Sequence, residues 1–267
     1  MSEIAIITGA SSGIGKSFVY ELSKRNFVFD KVQLDEVWIL ARREDTLEKI
    51  KSSVKEGASK IRAIKCDLIK EDEILKIAEL CKAENCHVKL LVNCAGMGKR
   101  GDILDKDAEA VTDTIDLNCK SLSLMTRVIA PYMETPKGKR PSRIINVASS
   151  AAFLPQVGFA VYAASKSYVV SFSGAMDYEL KPKGIRTLVV APGPVNTEFQ
   201  INATDGKSEG FSGFRKFIVA DPDKLAKRSL KCSENGRSML VYGLSQKLLH
   251  VAGKLLPHGI ILWFERH

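Results

Sequence analysis

Short apolar runs alternate along this chain with longer stretches in which apolar residues recur at helical spacing. The runs at 4–8, 37–40, 61–66, 90–93, 144–147, 185–191 and 239–242 are rich in Ile, Val, Leu and Ala. They are too short for helices, and most are nearly continuous in apolarity, so they read as strands buried on both faces of a sheet. Between them, residues 16–24 can gather Phe18, Val19 and Leu22 on one helical face. Residues 108–134 form a longer helical pattern with Val111, Ile115, Leu122 and Met125 among its apolar positions. Helices are also expected over 44–55, 71–84 and 161–181. This alternation predicts an α/β fold, a doubly wound parallel sheet with helices on both faces.

Composition narrows the picture. With 267 residues and 45% apolar content, the chain can bury a sizeable core, and no linker or repeat divides it. A single domain over 1–267 is expected. The first apolar run is too short for a signal peptide and meets glycines at once. No run of 18 or more apolar residues predicts a transmembrane helix. The six cysteines form no C-x-x-C pair and have only four histidines for company. This argues against a zinc site or a disulfide framework and suits a reducing cytoplasm. The net charge of +9 is interspersed with acids and lacks alternating aromatics. It fits attraction to an anionic cofactor better than nucleic-acid binding.

Two segments stand apart from the strand–helix alternation. Residues 198–221 carry Gly206, Gly210 and Gly213 with Phe199, Phe211, Phe214 and Phe217, and read as loop. The stretch 244–267 is apolar, broken by Pro257, and contains Lys247, Lys254 and His258. Contact with another subunit or with residues 198–221 is the expectation there, ahead of membrane contact.

The candidate chemistry sits at the ends of the predicted strands. TGASSGIG at 8–15 places Gly9, Ser11, Ser12, Gly13, Ile14 and Gly15 between a strand and a helix. That arrangement lets backbone N–H groups and a helix N-terminus approach a pyrophosphate, as in Rossmann-type sheets. Residues 10–17 also come within one position of a P-loop pattern, with Ala10 where glycine is required. After the second strand come Arg42 and Arg43, where NAD-binding sheets place an acid for the ribose. An arginine there can instead receive the 2′-phosphate of NADP. Asp67, at the end of the third strand, doubles as a candidate helix cap. Ser149 follows the fifth strand. Tyr162 comes thirteen positions later, and Lys166 lies one helical turn beyond it. An ammonium beside a phenol favours the phenolate, so the pair can exchange a proton with an oxygen that a serine hydroxyl holds.

These residues, with NCAG at 93–96, Asn118 and PGPVNT at 192–197, resemble the short-chain dehydrogenase/reductase family in order and interval. The resemblance covers residues 1 to about 200. It implies a nicotinamide cofactor and a reversible hydride transfer between a ketone or aldehyde and an alcohol. Asn118, Ser149, Tyr162 and Lys166 would form the catalytic set, with Asn118 kinking its helix and holding a proton-relaying water. Asp67 would meet the adenine amino group, and Asn93, Ala95 and Gly96 the adenosine side. Pro192, Gly193, Val195 and Thr197 would hold the nicotinamide, while Lys166 grips its ribose. Cys94 departs from the family's usual asparagine. Residues 198–221 would form a substrate lid. Their phenylalanines, with Phe153, Leu154, Val157 and Phe159, suggest an apolar carbonyl substrate such as a ketosteroid or a 3-oxoacyl compound. Similar enzymes pair through their long helices, so a homodimer or homotetramer is expected. The competing readings are an NAD-linked hydroxysteroid or alcohol dehydrogenase and an NADP-sensing protein without turnover.

Overall fold

The computed structural model describes residues 1–25, 32–54, 59–203 and 219–255, together with Pro257, Gly259 and Leu262. Strands β1 (Ser2–Thr8), β2 (Glu36–Ala41), β3 (Lys60–Lys65), β4 (Cys86–Asn93), β5 (Ser142–Val147), β6 (Ile185–Pro192) and β7 (Met239–Tyr242) form one sheet. Its order is β3-β2-β1-β4-β5-β6-β7, and every pairing is parallel. Parallel neighbours need crossovers, which α1 (Gly13–Ser23), α2 (Glu44–Ser53), α3 (Glu71–Ala83) and the later helices supply.

The central strand runs are largely apolar because both faces are covered. Along β1, Ala5 and Ile7 join Phe18, Leu22, Leu47 and Leu225 on one side of the sheet. Ile4 and Ile6 join Trp38, Ile74, Met125 and Met176 on the other. Each of these β1 side chains is fully buried. Each buried Ile or Leu contributes roughly 1.5–3 kcal/mol relative to exposure, so one short strand anchors both layers.

The expected 108–134 helix spans 108–133 without a gap, but it is not regular. It runs as α4 (Ala108–Ile115), a π turn over Asp116–Lys120 and α5 (Ser121–Ile129), then tightens into a 3₁₀ turn at Ala130–Met133. Pro131 lies in that last turn, where its missing N–H ends the α-helical ladder. Helix α6 (Ala160–Leu180) carries Tyr162 and Lys166.

Residues 198–203, expected as loop, form the short helix α7 (Glu198–Ala203). The remaining lid glycines and Phe211, Phe214 and Phe217 lie outside the described residues. Ala220 returns beside the β6 exit, its N–H donating to Pro194 O at 2.8 Å. An unanticipated helix, α8 (Pro222–Glu234), follows. Asp221 caps it by accepting from the N–H groups of Asp223 and Lys224. The tail begins with α9 (Leu244–Leu255). Leu244, Leu248, Val251 and Leu255 stand exposed on α9, while Gly253 packs against the Phe153 carbonyl. Among the described residues no helix is long and apolar enough to cross a membrane.

Candidate active site

In a parallel sheet all strands end on the same edge, and here that edge opens into a cavity of about 760 Å³. The sheet order reverses direction between β1 and β4, which is where such sheets bind ligands. The segment after β1 forms the floor. Gly9 adopts φ 65° and Gly13 φ 50°, both in the left-handed region. A Cβ on Gly15 would run into the Gly9 carbonyl, and one on Gly13 would lie 2.8 Å from Thr197 Cγ2. A backbone this tightly turned, opening directly into α1, is the cradle that a dinucleotide pyrophosphate requires. The residues present fit such a cofactor.

Ser11, Ser12, Ile14, Arg42, Asp67, Ala95, Gly96, Pro192, Gly193, Val195 and Thr197 all line this cavity, as their positions in the sequence led us to expect. Arg43 lines it too, but its guanidinium is held by Ser11 Oγ at 3.2 Å and Glu198 Oε2 at 3.0 Å. Arg42 is exposed beside it. Asp67 does not cap α3, whose N-cap is Lys70. Its Oδ1 instead accepts from the N–H of Ile69 at 3.3 Å.

Asn93 is a correction. Its side chain does not line the cavity but lies buried between strands, donating to Asn146 Oδ1 at 2.9 Å and Thr126 Oγ1 at 3.0 Å. As the last residue of β4, it points to the α5 side of the sheet and ties β4 to β5. Cys94, in place of an asparagine, is a half-buried residue whose thiol pKa desolvation pushes up to about 12. The Cys94 N–H is taken up by Thr8 Oγ1 at 3.1 Å.

At the β5 end, Ser149, Tyr162 and Lys166 meet. Ser149 hydrogen-bonds the Tyr162 phenol, and its Oγ also accepts from the N–H of Ala151 at 3.2 Å. Tyr162 packs against two aromatic rings. Phe159 stacks at 4.4 Å and Phe199 tilts across at 5.3 Å. Gly98 presses on it too, since a Cβ there would lie 2.5 Å from Tyr162 Cδ2. The Lys166 ammonium lies 5.6 Å from the Tyr162 ring centroid and donates to Val147 O at 3.1 Å.

Burial dominates the electrostatics of this pair. It pushes Tyr162 up to about 12, against the opposing pull of the Ser149 hydrogen bond, and it pushes Lys166 down to about 8. Burial thus works against the expected pull of Lys166 on the Tyr162 phenol. Desolvation penalises both charged forms, and the phenol keeps its proton at neutral pH. A protonated phenol beside a hydrogen-bonding serine can give its proton to a carbonyl oxygen.

Asn118 lies behind the cavity rather than on its wall, buried in the π turn. Its Oδ1 accepts from Met97 N–H at 2.9 Å, and its Nδ2 donates to Met97 O at 2.8 Å and Ser165 Oγ at 2.9 Å. These bonds occupy the side chain and lock the segment after β4 to α6.

The apolar wall is only partly the one expected. Phe159 and Phe199 line the cavity, with Leu249 of α9. Phe153 instead packs edge-on against His250 at 4.2 Å. Phe153, Leu154 and Val157 border a separate apolar cleft that includes Leu262. Lys99, Arg100, Gln156, Gln246 and Leu249 also line the main cavity, and the sequence reading had not singled them out. The Gln246 amide comes so close to Gly193 that a Cβ there would lie 2.6 Å from Nε2.

Comparison with known proteins gives the following. Residues 3–208 match the short chain dehydrogenase family. Farnesol dehydrogenase of Aedes aegypti is 31% identical over 204 residues, which are 73% of this chain and 78% of that protein. A short-chain dehydrogenase from Sphingobium yanoikuyae in complex with NADPH shares the fold at a TM-score of 0.77 and 22% identity, covering 98% of this chain and 96% of that one. A 3-ketoacyl-(acyl-carrier-protein) reductase from Brucella melitensis complexed with NADH aligns at a TM-score of 0.75 and 26% identity, covering 90% and 96%.

Proposed function

The chain belongs to the short-chain dehydrogenase/reductase family, an oxidoreductase acting on carbonyl and alcohol groups, and from that premise we propose that it is an NADP(H)-dependent carbonyl reductase. The observation that carries the reading is the convergence of Ser149, Tyr162 and Lys166 on one end of a cavity whose other end is a glycine cradle. A nicotinamide cofactor bound there supplies the hydride. The N–H groups of the Gly9–Gly15 turn bind its pyrophosphate, Asp67 its adenine, and Ala95 and Gly96 flank its ribose. Val195 and Thr197 orient the nicotinamide end, and Lys166 holds the nearby ribose hydroxyls. Ser149 orients the substrate carbonyl, and Tyr162 delivers a proton to its oxygen. Asn118 keeps the segment after β4 in register with α6, and the π turn around it suits a proton relay through backbone and water.

The preference for NADP(H) rests on Arg42, because relatives in this family are named with NADPH and with NADH alike. The apolar wall of Phe159, Phe199 and Leu249 supports an apolar carbonyl substrate, a ketosteroid or 3-oxoacyl compound among them. The name of the Aedes relative points the same way. Exposed Ile115 and Tyr168 on α4 and α6 suit pairing of two or more copies through those helices. Six free cysteines suit a reducing cytoplasm.

The test is consumption of NADPH and of NADH against ketosteroids, 3-oxoacyl thioesters and simple aldehydes. NADPH-linked reduction of at least one is expected. Cofactor binding without turnover of any carbonyl would favour a sensing protein. Preference for NADH would favour an NAD-linked dehydrogenase.

A further inference from the structure

Among the described residues five cations line the cavity, and the proposed function uses only those at two of three places. Arg42 and Arg43 stand at the β2 exit, where the 2′-phosphate belongs, and Lys166 lies at the nicotinamide ribose. Lys99 and Arg100 follow β4, on the side of the cavity that holds Phe159 and Tyr162. Asp67, at the β3 exit, is the only acid among the described residues of the lining. Arg100 therefore brings a cation to the substrate end, where no described residue of the lining is acidic.

Arg100 is held in place by its surroundings. Its N–H donates to Ala203 O of α7 at 2.9 Å, and the next residue, Gly101, donates to Gly158 O at 2.9 Å. The guanidinium lies over the Phe159 ring, 5.2 Å from its centroid, and Phe159 in turn stacks on Tyr162. One ring thus separates a fixed cation from the proton donor. A guanidinium packed on an aromatic face keeps its edge N–H groups free to bind a planar anion. Resting on the carbonyl-reductase reading, we propose that Arg100 is a specificity-determining residue that binds a carboxylate on the substrate. The preferred substrate is then an apolar keto or aldehyde acid, its carbonyl at Tyr162 and its carboxylate at the rim.

The experiment measures kcat/KM with NADPH for a series of medium-chain keto acids, each beside its methyl ester, with the ketone moved stepwise from the carboxylate. The parent enzyme should favour the acid over its ester by about ten- to a hundredfold at the best spacing, the worth of a charge-assisted hydrogen bond. Arg100→Ala should abolish that preference through KM for the acid, leaving ester turnover and NADPH affinity unchanged. Arg100→Lys should restore part of it. A parent that reduces acids and esters equally throughout the series overturns the inference. So does a parent that reduces uncharged ketones but no acid, or an Arg100→Ala variant that loses both substrates in proportion, the mark of a purely structural clamp. Failure of the parent to reduce any carbonyl compound would instead defeat the oxidoreductase reading beneath it.

Discussion

Replacing Lys166 by Met should make the protein's stability respond differently to pH, and the structure sets the window. The side chain is buried, and its ammonium donates a hydrogen bond to Val147 O. Burial lowers its pKa from 10.5 to about 8. Below about pH 8 folded and unfolded chains both carry the proton, so the folded state bears the full cost of a buried charge. Between about 8 and 10.5 the folded protein has released that proton while the unfolded chain retains it. The unfolded state then binds more protons, so stability rises with pH across this window. The shift corresponds to about 3 kcal/mol. A methionine has no such linkage. It forfeits the bond to Val147 O at every pH, a constant offset that does not bend the curve.

Urea unfolding of parent and Lys166→Met at several pH values reads this term, because groups remote from Lys166 cancel in the difference. The parent should gain on the variant by about 3 kcal/mol between pH 7.5 and 10.5. Tyr162 moves oppositely and at higher pH. Its raised pKa gives stability that is present below about pH 10 and lost on the way to 12, in both proteins alike. A parent–variant gap that stays flat from pH 7.5 to 10.5 would refute the claim that Lys166 is desolvated in the folded chain.

Three further outcomes follow from the site. Tyr162→Phe should bind NADPH as the parent does and lose at least about two orders of magnitude in kcat, and parent-like ketone reduction would remove Tyr162 as proton donor. Arg42→Ala should weaken NADPH about ten- to a hundredfold and leave NADH nearly unchanged, read as kcat/KM for each cofactor, whereas an unaltered ratio would return Arg42 to the solvated surface. Gly98→Ala would put a methyl 2.5 Å from Tyr162 Cδ2, about an ångström inside ordinary carbon contact, so kcat should fall with NADPH affinity retained; unchanged kcat would show that the ring can yield.

The sheet was readable because its central strands are buried on both faces, leaving runs such as AIIT and LLVN with no solvent side to interrupt them. The glycine turn, Arg42, Ser149, Tyr162 and Lys166 were readable because strand ends converge on one edge whatever fills the rest. Asn93 was misplaced because motif spacing locates a backbone position but not a side-chain direction. Successive strand residues alternate faces, and this one falls on the side of Thr126 and Asn146. Helix α8 had a legible start in Asp221 followed by Pro222, but it went unread beside the glycine-rich stretch before it. Gln246 and Leu249 had no such signal, since only the path of the tail brings α9 over Gly193.

The π turn within the 108–134 helix shows why local pattern and site geometry can disagree. Apolar spacing on either side of Asn118 is helical, so periodicity alone joins the two halves. The π turn inserts its change of register at a residue whose side chain is consumed by non-local partners, Met97 after β4 and Ser165 on α6. A regular α-helix would rotate that amide away from both. Asparagine gives up little there, being a poor helix former, and three hydrogen bonds offset the strain of the wider turn. Holding Met97 also fixes Gly98 against the Tyr162 ring and, two residues further on, Arg100 over Phe159. The distortion thus positions the wall that faces the proton donor, which is why Asn118 bears on catalysis without itself lining the cavity.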